Sequence, residues 1–128
     1  MPRSSHPSAQ LPLSVPVFQI LVSLADRDLH GYAIIRDIAQ RTGGEVRLTA
    51  STLYAAIRRL LEAGMIDEID QPRRAPAGPP RPPNEDERRR YYRMTPYGRE
   101  IAQLEAARLE RAAGMARAKR LLPRTKKA

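Results

Sequence analysis

Cysteine and tryptophan are both absent from this sequence, and phenylalanine occurs once. Without cysteine there is no disulfide framework, no thiolate metal site and no cysteine nucleophile, and the cytoplasm is the expected compartment. The two histidines, His6 and His30, do not form a pair: His6 falls in a Ser/Pro-rich stretch, and His30 is placed to cap a helix. No glycine-rich phosphate loop is present, and the carboxylates lie on helix surfaces or in the acidic run of Glu85, Asp86 and Glu87. The expectation is therefore no enzyme, no cofactor and no metal. Long apolar runs are missing too. Nothing approaches the roughly 20 residues that span a bilayer, and prolines interrupt the first residues where a secretory signal needs an unbroken apolar segment. No membrane partner is expected.

What the sequence does have is positive charge. Its 23 Lys and Arg against 14 Asp and Glu give a net +9 and a pI near 10.8, which favours an anionic partner, nucleic acid first. At 128 residues there is room for one small domain with tails. A domain of that size buries a modest fraction of its surface, so self-association is an expected source of stability.

Residues 1–13 are rich in Ser and Pro, show no periodicity and read as a flexible arm. A helical pattern then begins. Val17, Ile20, Leu21 and Leu24 recur at the spacing of one helix face, with Ser14 or Val15 at the cap and Pro16 in the first turn, where its missing N–H costs least. A second helix covers about Tyr32 to Arg41, with Ile34, Ile35, Ile38 and Ala39 on its apolar side, and stops at Gly43 and Gly44. A short extended piece follows, in which Val46 alternates with Leu48.

The third helix runs through TASTLYAAIRRLLEAG, with Thr49 or Ser51 as cap and Gly64 as stop. Leu53, Ile57, Leu60 and Leu61 gather on one side. Ser51, Thr52, Ala55, Arg58, Arg59 and Glu62 gather on the other, a face of small and basic residues suited to close approach and to holding an anion. Small side chains in the first turn leave the helix N-terminus accessible, and an arginine fork fits guanine O6 and N7 or a phosphate. Tyr54 stands at the margin of the core face, its ring placed to pack and its hydroxyl within reach of a phosphate.

Met65 to Asp70 alternates like a strand, and Arg89 to Met94 reads as its partner, with Tyr91 and Tyr92 on opposite faces. Between them, residues 71–87 hold six of the 12 prolines and read as a mobile loop joining a hairpin. Arg88, Arg89 and Arg90 at its end are candidates for phosphate contact. Thr95 and Pro96 restart a helix whose run through Ile101, Leu104, Leu109 and Met115 reaches about Leu122, before a basic tail at 123–128.

Helix, helix, helix, strand, loop, strand, long helix is the order of a winged helix-turn-helix, in which the third helix lies in the major groove and the strands form the wing. The segments LHGYAIIRDI, TASTLYAAIRRLLEAGMI and RRRYYRMTPYGRE, in that order, resemble the PadR family of bacterial repressors, over about Val17 to Glu105. The single helix after the wing is similar to the smaller PadR subfamily. The resemblance implies a mainly α fold with a small β-hairpin: a DNA-binding domain at 14–95 and a dimerisation helix at 96–122. It also implies a homodimeric repressor on an inverted repeat in double-stranded DNA, released by a small-molecule effector at the dimer interface. Ser51, Thr52, Tyr54, Arg58, Arg59, Arg88, Arg89 and Arg90 are the expected DNA contacts. Ile101, Leu104, Leu109 and Met115 are the expected dimer contacts. The proline-rich wing is longer than the hairpin the resemblance implies, and the lack of tryptophan removes one means of stacking flat ligands. The alternative reading is a winged-helix protein-interaction module with non-specific affinity for nucleic acid.

Overall fold

The computed structural model describes residues 6–70 and 90–123. The proline-rich 71–87 segment, Arg88, Arg89 and the basic tail from residue 124 onward lie outside the described residues.

Among the described residues, four α-helices surround a small sheet. Helix α1 (Val15–Ser23) starts where Ser14 accepts a hydrogen bond from the Val17 N–H at 3.3 Å. A two-residue strand β1 (Leu29–His30) leads directly into α2 (Gly31–Arg41), whose cap is His30: its Nδ1 accepts from the Ala33 N–H at 3.2 Å. Helix α3 (Ala50–Glu62) is capped by Thr49, not Ser51, through the Thr52 N–H at 3.1 Å, and is stopped by Gly64 at φ +77°. Strands β2 (Ile66–Ile69) and β3 (Tyr91–Met94) are followed by the long α4 (Pro96–Ala118), with Thr95 as cap and Pro96 at its first position.

The expected hairpin gains a third strand. The sheet order is β1-β3-β2, all antiparallel, with Leu29 opposite Tyr92 and His30 opposite Tyr91. On the other side Ile66 pairs with Met94 and Asp67 with Arg93. Two residues are too few to show a period, so β1 left no signal in the sequence. The extended piece around Val46 and Leu48 joins no strand; both side chains are partly buried against the core. Tyr92 is buried and Tyr91 stands edge-on to His30 at 5.5 Å, so the pair divides between faces as alternation requires. Burial pushes the Tyr92 hydroxyl pKa up to about 12, assisted by the Glu68 charge opposite it.

The core is one cluster. Val17, Ile20, Leu21 and Leu24 of the first helical segment meet Ile34 and Ile38 of α2, Leu53, Ile57 and Leu60 of α3, and Ile66, Tyr92 and Ile101 from the sheet and α4. Helices α1 and α2 are also tied by polar groups. Ser23 donates to Asp37 Oδ2 at 2.7 Å, and Arg41 donates to the same oxygen at 2.8 Å and to Gln19 Oε1 at 2.9 Å. Partial burial pushes the Asp37 pKa up, but the bonds from Ser23 and Arg41 and the charges of Arg41 and Arg27 outweigh it and hold the group below its ordinary value.

Two boundaries differ from the sequence reading. Residues 6–13 are not a loose arm: Pro7–Gln10 form a 3-10 turn against α4, and Leu11 and Leu13 pack on the core. The polar anchor for this packing is Glu105, buried in α4. Its carboxylate accepts two bonds from Arg108, both at 2.8 Å, and one from the Leu13 N–H. The second difference is at the end of α4, which stops at Ala118, four residues before Leu122. Arg120 there takes φ +66° and Leu121 donates back to the Ala116 carbonyl at 2.8 Å, closing the helix without a glycine.

The Arg108 bonds hold the Glu105 pKa below its ordinary 4.5, against the opposing effect of burial and with help from the Arg108 charge and the Leu13 N–H. A carboxylate with a depressed folded-state pKa stabilises the fold above the unfolded-state value and loses that contribution as pH falls through the folded-state value. Docking of residues 6–13 should therefore weaken on acidification below about pH 4.5. The protection factor of the Leu13 amide, its exchange rate relative to an unstructured amide at the same pH, should fall there, whereas Glu105→Gln should lower protection at every pH and flatten the acid dependence. Equal acid sensitivity in both proteins would refute this role for Glu105.

Candidate nucleic-acid interface

Helix α3 divides as its periodicity requires. Leu53, Ala56, Ile57 and Leu60 are buried, while Ser51, Thr52, Ala55, Arg58, Arg59 and Glu62 are all exposed. Side chains at 51, 55, 58 and 62 follow one another at helical spacings of three and four, so they form a continuous strip along the outside of the helix. The strip begins with small residues and becomes basic. Thr49 donates its hydroxyl to Thr52 Oγ1 at 3.1 Å while accepting from the Thr52 N–H, which fixes the first turn.

Tyr54 is 37% exposed and lies across the start of α2. A Cβ at Gly31 would collide with the Tyr54 hydroxyl and stand 2.9 Å from its Cζ. Residue 31 is glycine because the tyrosine of the next helix occupies the place of its side chain. The His-Gly-Tyr and Thr-Leu-Tyr motifs are thus in direct contact. The ring packs as expected, and its hydroxyl is turned toward the protein's own α2. Gly31→Ala should displace the ring outward at a small cost in stability, since a half-exposed tyrosine can rotate away. Combining it with Tyr54→Leu should remove most of that cost, and a thermal-melting double-mutant cycle giving strictly additive losses would disprove the contact.

Among the other expected contacts, Arg90 is exposed at the entrance to β3. Leu104, Leu109 and Met115 project from α4 at 36%, 41% and 68% exposure. Ile101 corrects the sequence reading: it is fully buried in the protomer's own core and is not available to a partner chain. It sits in the second turn of α4, where the helix still lies over the sheet, and periodicity alone does not separate a core face from an interface face.

Features that the sequence reading passed over lie on α2 and α4. Tyr32 and Arg36, four residues apart on the exposed side of α2, stack with the guanidinium carbon 5.6 Å from the ring centroid. Their i,i+4 spacing opposite Ile34 and Ile38 was the available signal. Thr95 links α4 to the end of α3: its hydroxyl donates to the Gly64 carbonyl at 2.7 Å, and its N–H donates to the Met65 carbonyl at 3.0 Å. Gly98, one turn on, rests directly on that same Met65 carbonyl. Among the described residues no cluster of His, Asp and Glu could hold a metal ion, and no helix is long and apolar enough to cross a membrane.

Comparison with known proteins agrees with this geometry. The model of the transcriptional regulator PadR-like family matches residues 20–104. A 37.1 kDa protein of transposon TN4556 from Streptomyces fradiae is 36% identical over 95 residues, covering 74% of this chain. The chain spans only 23% of that relative's length. Among solved structures, a transcriptional regulator from Clostridium thermocellum superimposes with a TM-score of 0.64 at 26% identity, covering 80% of this chain and 87% of the other. A PadR family transcription regulator from Clostridium difficile gives the same TM-score at 19% identity over 82% of this chain and 97% of its own, a likeness of fold.

Proposed function

The chain belongs to the PadR-like family of transcriptional regulators, DNA-binding proteins and not enzymes, and from that premise we propose that it is a homodimeric repressor reading an inverted repeat. The observation that carries this reading is the outer strip of α3: small at its N-terminal end, basic at Arg58 and Arg59, and exposed opposite a buried face. Ser51 and Thr52 admit the helix end to the groove, the two arginines contact base edges or phosphates, and Arg90, with Arg88 and Arg89 beside it in sequence, engages the flanking backbone. Tyr54 holds α3 against α2.

Two protomers joined through α4 set the recognition helices about 34–36 Å apart, one turn of DNA. The support for this joint is the exposure of Leu104 and Met115 on one side of α4 and of Leu109 on another, among alanines that let another helix come close. An open groove of about 710 Å³, lined by Phe18 of α1 and by Gln103, Ala106, Ala107, Leu109 and Glu110 of α4, lies on the Leu109 side of that helix and is where a small-molecule effector would act. Occupancy of an operator in the cytoplasm blocks transcription, and the effector ends it.

Selection of bound sequences from random duplexes tests the reading. An inverted repeat with two half-sites one turn apart supports it. Equal affinity for unrelated duplexes supports the interaction-module alternative. Oligomeric state needs substitution, not truncation, because a cut after Gly98 would also remove the core residues Ile101 and Glu105. Leu109→Glu with Met115→Glu should give folded monomers by light scattering, and a folded dimer from that variant would move the interface elsewhere.

A further inference from the structure

Resting on the DNA-binding reading of α3, we propose that Tyr32 and Arg36 of α2 form a preset phosphate clamp, a second contact with the DNA backbone outside the recognition helix. Three observations place it. The guanidinium of Arg36 lies 5.6 Å from the Tyr32 ring centroid, and Tyr32 itself is 46% exposed. The charge is thus held over a ring on the surface and kept in water, and it is not consumed by the carboxylate on its own helix: Asp37 is turned inward to Ser23 and Arg41. The third observation is position. Gly31, the residue next to Tyr32, is one of the points at which α2 touches α3, through Tyr54 and the Leu53 side chain. Tyr54 in turn lies one helical turn from Ser51 and from Arg58 on the outer strip. The clamp therefore borders the proposed reading face, at the helix that in this class of motif crosses the backbone while its successor enters the groove.

The physical case concerns entropy as much as charge. A free arginine side chain loses rotamer freedom when it docks on a phosphate, and a stacked one has already lost part of it. A ring face also leaves the N–H edge of the guanidinium open, and that edge is what a phosphate accepts from. The ligand chemistry is a nucleic-acid phosphodiester, and the contact positions the protein without reading sequence.

The test measures duplex affinity of the full chain across a salt series, on a selected duplex and on one of random sequence, for Arg36→Ala, Tyr32→Leu and Arg58→Ala. With a clamp, Arg36→Ala weakens both duplexes by the same factor and lowers the slope of log affinity against log salt by about 0.9 for each protomer bound. Tyr32→Leu keeps the charge, so it lowers affinity severalfold at an almost unaltered slope. Unchanged slope and affinity in Arg36→Ala overturn the clamp, and so does a loss confined to one base pair of the selected duplex, which would make Arg36 a base reader. Failure of the α3 reading appears separately, as an Arg58→Ala variant indistinguishable from the unaltered chain. The random duplex still reports on Arg36 in that case. Both α2 residues are exposed, so melting temperatures should stay level; if Tyr32→Leu melts early, Tyr32→Phe keeps the ring and should bind like the unaltered chain.

Discussion

Gly98→Ala is expected to destabilise the protein by about 3 kcal/mol, a large part of the roughly 5–15 kcal/mol that holds a small domain folded. The direction is not obvious from propensity. Gly98 lies in the first turn of α4, and replacing a helical glycine by alanine ordinarily gains about 1 kcal/mol. Here the new Cβ would run into the Met65 carbonyl oxygen, with the Met65 carbonyl carbon at 2.9 Å and its Cα at 3.1 Å. These are backbone atoms, so no side chain can swing aside. The helix must lift from the α3–β2 turn, which strains the packing by about 1–3 kcal/mol. Lifting also breaks the bonds from Thr95 to the Met65 and Gly64 carbonyls, each worth about 1 kcal/mol. Those losses exceed the propensity gain. Denaturant unfolding should move the midpoint down sharply, and an unmoved midpoint would show that the seam yields without cost. The same seam makes α3 and α4 move as one body near Met65. A variant that survives with α4 lifted should therefore also bind a selected duplex less well if the proposed dimer holds its recognition helices at the operator spacing through α4.

The N-caps were legible in the sequence to within two residues because they act within one turn: Ser14, His30, Thr49 and Thr95 each hold the N–H three residues ahead, whereas the end of α4 at Arg120, closed without a glycine, left no such mark. The face of α3 was legible for a similar reason, since a helix repeats every 3.6 residues and Leu53, Ile57 and Leu60 mark the buried side. Contacts across the chain were not. Gly98 against Met65, Gly31 against Tyr54 and Glu105 against Leu13 join segments far apart in sequence, or turn on the absence of a side chain, and neither leaves a period to read. Ile101 shows the same limit from the other side. It continues the apolar run of α4 toward Leu104 and Leu109, yet its turn packs on the protomer's own core while theirs face outward. Leu11 and Leu13 were too few to mark residues 6–13 as structured, although Glu105 supplies their polar anchor.

Arg58→Ala and Arg59→Ala are expected to give the largest loss of binding with almost no loss of stability. Both side chains are exposed, and the buried face of α3 carries Leu53, Ala56, Ile57 and Leu60 without them. Arg59 also stands in the last turn of α3, where a cation interacts favourably with the helix dipole by about 0.3–1 kcal/mol, so its removal should cost slightly more stability than that of Arg58. In binding, the two arginines need not act alike. A side chain that takes guanine O6 and N7 should lose about 1–3 kcal/mol and relax preference at one base pair, whereas one that holds a phosphate should weaken all duplexes equally and lower the salt slope by about one. Arg58 follows Ser51 and Ala55 along the strip, a path left open by small side chains, and this favours it as the base reader. Arg59 lies 100° around the helix, off that strip, and is expected to take a phosphate. Titrating each variant against the selected duplex, its single-base variants and a salt series separates the roles. Unchanged titrations for both would remove α3 from the interface, whatever the family resemblance of the fold.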